Sequence, residues 1–448
     1  MNYDASKAAV AEAAAKMGIG EYELYYMSEE SISVSAHQHE VNRFSSSVNG
    51  GACFRCIVDG KMGYASTELL DEEQASAIVS RAVDNARTVE SEDAVFIHGA
   101  GDAYRETAAQ DIPLPAAGEM ISFILDCQDK AYAADPRVCD GTSSQFVAER
   151  VTTRLTNSKG LDLQNVSSFQ GGIVGAVLEQ DGQKYNYYDY RAGSAGGIDR
   201  AELVQSAVSK AAATIGAEVA GSGKVPVVFD PEVMADFLSI FCPVFSADQA
   251  QKGLSLLKGR EGEEIAAPVL TLMDDPFYPG CTVQAGFDAE GVATSTKAVI
   301  VDGVLKTLLH NLKTPAKDGR RSTGNACKAS YAASVSVAPY SFYVKPGALS
   351  REELFAKAGD GIYLTEVSGG HAGANAITGD FSLQSSGFLI EGGRITKALR
   401  GFTVAGNFYE LLKAVSAVGS DLKFGLPSGS TVFGAPSVLV RELSIAGK

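Results

Sequence analysis

The sequence predicts an α+β fold. Two helix–antiparallel strands–helix modules, consistent with a duplication, lead into a mostly antiparallel β-rich C-terminal domain that can close into a barrel. Three observations carry this reading. Helical and alternating patterns follow one another twice in the same order within the first half. Asp-Gly pairs stand at 59–60, 181–182 and 302–303, each between strand-like runs, where a tight hairpin turn needs them. From residue 269 onward, strand patterns dominate.

Taken in order, the Ala-rich stretch 4–17 has strong helix propensity, and Gly18 and Gly20 end it. Glu21–Tyr26 and Ile32–Ala36 alternate with a period of two, which predicts two strands with one solvated face each. Ile57–Tyr64 reads as a hairpin. Asp71, with Gln74 three residues on, opens a helix to about residue 89. Residues 118–134 form the next helix, closed by Asp135-Pro136. Strands run from about 138 to 190, with turns at 157–160 and 181–182, and a helix covers 199–215. Ala220–Lys224 is a short flexible break. It divides the chain into an α+β domain over 1–115, a second α+β module over 116–220, and a β-rich domain over 221–448. Val225–Phe229 then reads as a buried strand. Asp230 caps a helix with Pro231 in its first turn, reaching about residue 245. Residues 246–268 are polar and Gly-containing, a loop or partly mobile arm. Beyond it come a hairpin at 300–305, a short helix capped by Ser350, and another from Asn407 to about 415.

At 448 residues, with 45% hydrophobic and 21% charged residues, the chain suits a globular protein with sizeable cores. No apolar run is long enough to span a membrane, and the first residues lack a secretory pattern, which predicts a cytoplasmic protein. A net charge of -16 opposes binding to a phosphate backbone. Cys53 and Cys56 lie three apart on a strand, so they point to opposite faces and read as small buried thiols.

His37 and His39 share one face of a strand without an evident third metal ligand. His310, Cys327 and His371 could converge into a zinc site. Asp288 and Glu290, within Gly286–Gly291, read as a surface turn before a strand. Gly319–Gly324 is basic and hydroxyl-rich, and Arg320 and Arg321 suit contact with a carboxylate. The Gly-rich stretch formed by Gly369, Gly370, His371, Gly373 and Asn375 leads to Thr378 and Asp380. Its open backbone beside strand signals suits the capture of an extended peptide, and an ordinary structural connection is the alternative. No nucleophile elbow or phosphate-binding loop is present.

Thr378–Gly387 and Thr403–Asn407, together with Val58–Thr67, Phe287–Thr294 and Ser322–Asn325, resemble the TldD/PmbA family in order and spacing. That family, also called modulators of DNA gyrase, comprises zinc-dependent peptidases of bacteria and archaea. Its zinc motif, His-Glu-x-x-x-His, occurs nowhere in this sequence. The corresponding stretch, about Ser239–Val244, has neither His nor Glu, and no Cys follows Cys327 to match the family's third ligand. The resemblance is to the PmbA/TldE-like branch. It implies no catalytic residue and no metal in this chain, zinc in a TldD-like partner, an unfolded peptide as substrate, and a homo- or heterodimer that trims or degrades peptides. An autonomous hydrolase with an atypical site, or a non-enzymatic modulator of gyrase or toxin systems, are the alternatives.

Overall fold

The computed structural model describes residues 3–69, 71–91, 93–108 and 111–448, the side chains at 72, 317 and 318 aside. The first half is built as α1 (Tyr3–Lys16), β1 (Glu21–His37), β2 (Glu40–Val58), β3 (Lys61–Thr67) and α2 (Glu72–Thr88), then α3 (Ala117–Ala134), β4 (Ser143–Asn157), β5 (Asp162–Gln180), β6 (Gln183–Ala192) and α4 (Arg200–Ala213). The helix–three strands–helix order thus occurs twice. All six strands join one sheet in the order β3-β2-β1-β4-β5-β6, symmetric about the β1–β4 boundary. The two expected strands at 21–26 and 32–36 are one continuous strand, because β1 pairs along its length with β2 on one side and β4 on the other. The polar residues between them cost nothing there, since that part of the sheet is only half-buried.

The Asp-Gly pairs act as their chemistry requires. Asp59, Asp181 and Asp302 have φ of 51, 53 and 48°, and the glycines that follow are also left-handed, the conformation a two-residue hairpin demands. Helices α1 and α2 cover Leu24 and Phe54 at one end of the sheet, and α3 and α4 cover Val34, Phe146 and Val174 at the other.

The second half runs β7 (Gly223–Phe229), α5 (Pro231–Phe241), a 3-10 turn (Cys242–Phe245), α6 (Ala247–Gln251), β8 (Leu272–Asp274), β9 (Lys297–Val301), β10 (Val304–Leu305), α7 (Thr314–Asp318), β11 (Ala326–Cys327), β12 (Ser336–Val337) and β13 (Ser341–Val344). It continues with α8 (Arg351–Ala358), β14 (Gly361–Ser368), α9 (Gly370–Gly373), β15 (Asp380–Glu391), β16 (Arg394–Asn407), α10 (Phe408–Ala414), β17 (Val415–Val418), β18 (Lys423–Phe424), β19 (Val432–Ala435) and β20 (Val438–Ala446). Strands β16-β15-β14-β7-β20 pair in sequence, and β20 returns to β16, closing a five-stranded barrel. A further sheet, β10-β9-β8-β13-β19-β18, flanks it. Pairing is antiparallel except β14–β7 and β13–β19.

Two expectations change here. The segment 246–268 is largely the expected loop after α6, but it is held rather than an arm: Leu257, Ile265, Ala266 and Ala267 enter the core of the domain. Backbone bonds from Ile265 to Gly303 and from Leu305 to Glu263 pin it. The helix expected to reach 245 stops at Phe241, and Pro243 sits in the 3-10 turn, as a residue without an N–H donor imposes.

Candidate functional site

The site is assembled around α5. Asp230 follows β7 and caps the helix, its Oδ1 accepting from the Glu232 N–H at 2.9 Å while Tyr363 donates to Oδ2. One face of α5 is aromatic and fully buried. Phe237 meets Phe229 and Phe381 edge-on at 5.2 and 5.0 Å, and Phe241 stacks on Phe408 at 4.4 Å, arrangements that rings favour. These contacts fix the helix rigidly on the barrel. Ser239 and Ile240 lie on its outer side, exposed and half-buried respectively.

Over that outer side passes the Gly-rich loop. Strand β14 leaves the barrel after Leu364: its pairing with β7 covers only 362–364, whereas its pairing with β15 continues to Ser368. Beyond Leu364 the strand therefore has a sheet neighbour on one side only. Gly369 then turns the chain at φ 81° into α9. A Cβ on Gly370 would stand 2.6 Å from Ile240 Cδ1, and one on Gly373 would stand 2.4 Å from Ser382 O. At Gly373 the obstacle is backbone, so nothing larger fits there, whereas at Gly370 it is the end of the Ile240 side chain, which would have to move.

The rest of the loop is self-supporting. Asn375 Oδ1 accepts from the Ile377 and Thr378 N–H groups at 2.9 and 3.2 Å, and Thr378 Oγ1 accepts from Asp380 N at 3.3 Å. Asn407 donates to Thr378 O and to Asp380 Oδ1, both at 2.8 Å. The Asn407 and Thr378 contacts hold the Asp380 carboxyl below its usual range. Asn375, Thr378 and Asp380 thus shape the loop, whereas His371, Ala372 and Ile377 face solvent.

The other sequence-derived candidates lie elsewhere. His310 is buried, its Nδ1 3.1 Å from Thr314 Oγ1. Cys327 is on β11 with Sγ 3.3 Å from Ser430 Oγ, and burial pushes its thiol up. His371 is exposed on α9. Among the described residues no three His, Cys, Asp or Glu side chains are grouped to hold a metal, so His310, Cys327 and His371 are not brought together. His39 is not on a strand: with Gln38 it forms the left-handed two-residue turn between β1 and β2. Cys53 and Cys56 are buried in different clusters on opposite faces of the sheet. Gly319–Gly324 braces His310, through bonds from Ser322 and Thr323 to His310 O. Arg320 is exposed but already pairs with Glu261 at 3.2 Å, and Arg321 faces solvent.

Asp288 and Glu290 overturn the surface-turn reading, since both are buried. Asp288 accepts backbone N–H bonds from Glu290, Val292 and Ala326. Burial, with Glu290 adding repulsion, nevertheless pushes its carboxyl up to about 8. Glu290 accepts from Arg55 Nη1 at 2.9 Å and from Leu312 N at 2.8 Å, and Arg55 also donates to Glu23 at 2.8 Å. This buried triad joins the N-terminal sheet to the C-terminal domain. Its only trace in the sequence is one Arg within the otherwise small and apolar run 51–57.

A second joint links β6 and α4 to α5 and β18. Asp189, 1% exposed, accepts from Ser206 and faces Arg191, Lys210 and Lys423. Lys210 and Lys423 also reach Glu232 at the start of α5.

The chain matches three family models in succession: PmbA/TldA metallopeptidase domain 1 over residues 22–86, the central domain over 111–215 and the C-terminal domain over 222–447. It is 26% identical to the metalloprotease PmbA of Escherichia coli O157:H7, over 93% of this chain and 90% of that one. A Thermotoga maritima structure, described as a candidate modulator of a DNA gyrase, superposes with a TM-score of 0.90 at 29% identity, covering 99% of this chain and 100% of the other. TldE from Thermococcus kodakarensis shares the fold, with a TM-score of 0.89 at 22% identity over 99% and 100% of the two chains.

Proposed function

This chain belongs to the PmbA/TldD metallopeptidase family, and from that premise we propose that it is the zinc-free subunit of a two-chain TldD/TldE-type peptidase. In this reading it holds unfolded peptide for a zinc-bearing TldD-like partner and works in the cytoplasm. Among the described residues no helix is long and apolar enough to cross a membrane.

One observation carries the proposal. The zinc motif His-Glu-x-x-x-His occurs nowhere in the sequence, and the stretch that the resemblance implies as its counterpart, about Ser239–Val244, contains no His and no Glu. Its Ile240 lies under Gly370, and its Pro243 sits where the α-helix has already ended. Hydrolysis at a zinc site needs a set of ligands and a general base for the metal-bound water, and among the described residues no such set of His, Cys, Asp or Glu is grouped here. What α5 and its surroundings do supply is a surface for an extended chain. Beyond Leu364 the side of β14 away from β15 pairs with no other strand among the described residues, with Thr365 O accepting from Tyr187 OH at 3.3 Å. Strand addition of this kind gives affinity with little sequence preference, which suits unfolded peptides.

The test is metal analysis and a peptidase assay on this chain, alone and mixed with a paralogue carrying His-Glu-x-x-x-His. The expected result is no bound zinc and no cleavage alone, with chelator-sensitive cleavage by the mixture. Stoichiometric zinc or chelator-sensitive cleavage by the isolated chain would overturn the proposal.

A further inference from the structure

We propose that the free edge of β2 is a self-association surface: residues 42–50 pair antiparallel with the same residues of a second copy of this chain, about a two-fold axis at Ser46. β2 runs from Glu40 to Val58, yet β3 pairs with it only over Ala52–Val58. Before Ala52, β2 has β1 on one side and no strand on the other. The Asp59-Gly60 turn makes Val58 and Lys61 a closing hydrogen-bonded pair. Alternation back along the strand then aims the main-chain groups of Gly50, Val48, Ser46 and Phe44 into the lane that β3 leaves empty. Among the described residues no hydrogen bond reaches those groups from that side.

An unpaired edge recruits another strand unless charge, proline or shortness blunts it. From Phe44 to Gly50 there is neither a charge nor a proline. The side chains stand open on both faces of the strand, with Phe44 50% and Val48 74% exposed. The lane also has fixed ends. Thr67, opposite Ala52, closes one. At the other, β2 carries one residue more than β1, Asn42, so the strand bends there before its turn. The stretch between these ends is centred on Ser46.

A second copy fits that stretch in register. Opposed residues of an antiparallel pair aim their main-chain groups both toward or both away from each other, so the axis must fall on a residue. At Ser46 it uses the whole stretch, and any other centre shortens the pairing. Phe44 then faces Val48 of the second copy, an aromatic–β-branched pair, and Ser45 faces Ser47. Arg43 faces Asn49, so no charge meets its like. The order Phe44-Ser45-Ser46-Ser47-Val48 thus favours a second copy over an unrelated strand, because it opposes apolar to apolar and serine to serine. A two-fold contact of this kind closes at two chains. It uses no residue of the Gly369–Asp380 loop and goes beyond the peptidase reading above. It is measured without the paralogue, so either test can fail alone.

The experiment is size-exclusion chromatography with light scattering on the full chain, which should give twice the mass of one chain. Phe44→Lys combined with Val48→Lys opposes like charges at both apolar pairs. It should halve that mass with an unchanged circular dichroism spectrum, since both side chains are exposed. Ser46→Cys places two thiols across the axis, where the Cα atoms of a hydrogen-bonded pair stand about 5.5 Å apart, within reach of a disulfide. Mild oxidation should link most of these chains into covalent dimers. Asn49→Cys is the control: its own counterpart lies roughly 20 Å away along the paired strands, beyond that reach, and it should stay unlinked. A single-chain mass for the parent protein, an undiminished mass for the Lys variant, no linking by Ser46→Cys, or equal linking by Asn49→Cys would each overturn the proposal.

Discussion

Gly370 lies so close to Ile240 that a single added carbon would come within 2.6 Å of the Ile240 Cδ1. The loop proposed to capture peptide is therefore seated on α5. Gly370→Ala should destabilise the chain by about 1 kcal/mol, the low end of the cost of overpacking, because the Ile240 side-chain tip can move. In an Ile240→Ala background most of that cost should vanish. Thermal unfolding of the four variants in a double-mutant cycle gives the coupling; strictly additive effects would mean that the two residues do not press on each other.

The Arg55 triad predicts a different pattern. Replacing Arg55 by Met leaves Glu23 and Glu290 buried without their cation, which costs about 3–5 kcal/mol. Neutralising all three together, Glu23→Gln, Arg55→Met and Glu290→Gln, should recover much of the loss. Urea midpoints would decide; a triple variant weaker than Arg55→Met alone would contradict the pairing.

Asp189 is expected to contribute to the acid limb of stability. Burial raises its carboxyl, but the Ser206 hydroxyl, Lys210 and Lys423 outweigh that and hold it at about 2. An unfolded Asp titrates near 3.9. The folded value is the lower one, so its contribution is present above pH ~4 and is lost as pH falls from ~4 towards ~2. Asp189→Asn should lower stability at pH 7 by about 1–3 kcal/mol and make the fall between those pH values shallower. An acid limb identical to that of the parent chain would rule Asp189 out as its source.

Chelation separates the isolated chain from the assembly. Dialysis against a chelator should leave the melting temperature of the isolated chain unchanged, since metal sites that support a fold couple to it directly. The same treatment should abolish cleavage by the mixture with the paralogue. A fall of several degrees for the isolated chain would point to a resident metal.

Local chemistry was legible in the sequence throughout. Asp59-Gly60, Asp181-Gly182 and Asp302-Gly303 specified their turns because only certain residues tolerate left-handed backbone. Asp71, Asp230, Ser350 and Asn407 specified helix starts because each has a side-chain oxygen for the first free N–H groups. The Gly-rich loop and the Ser239–Val244 stretch without His or Glu were visible as well.

Tertiary structure alone decided what converges. Arg55 and Glu290 are 235 residues apart, and no spacing rule connects them. Asp288 and Glu290 have the pattern of a surface turn, yet packing of the N-terminal sheet on the C-terminal domain buries them. Hairpin turns and caps depend on a few consecutive residues, so they are written in the sequence. Burial and long-range pairing depend on which surfaces come together, and only the folded chain determines that.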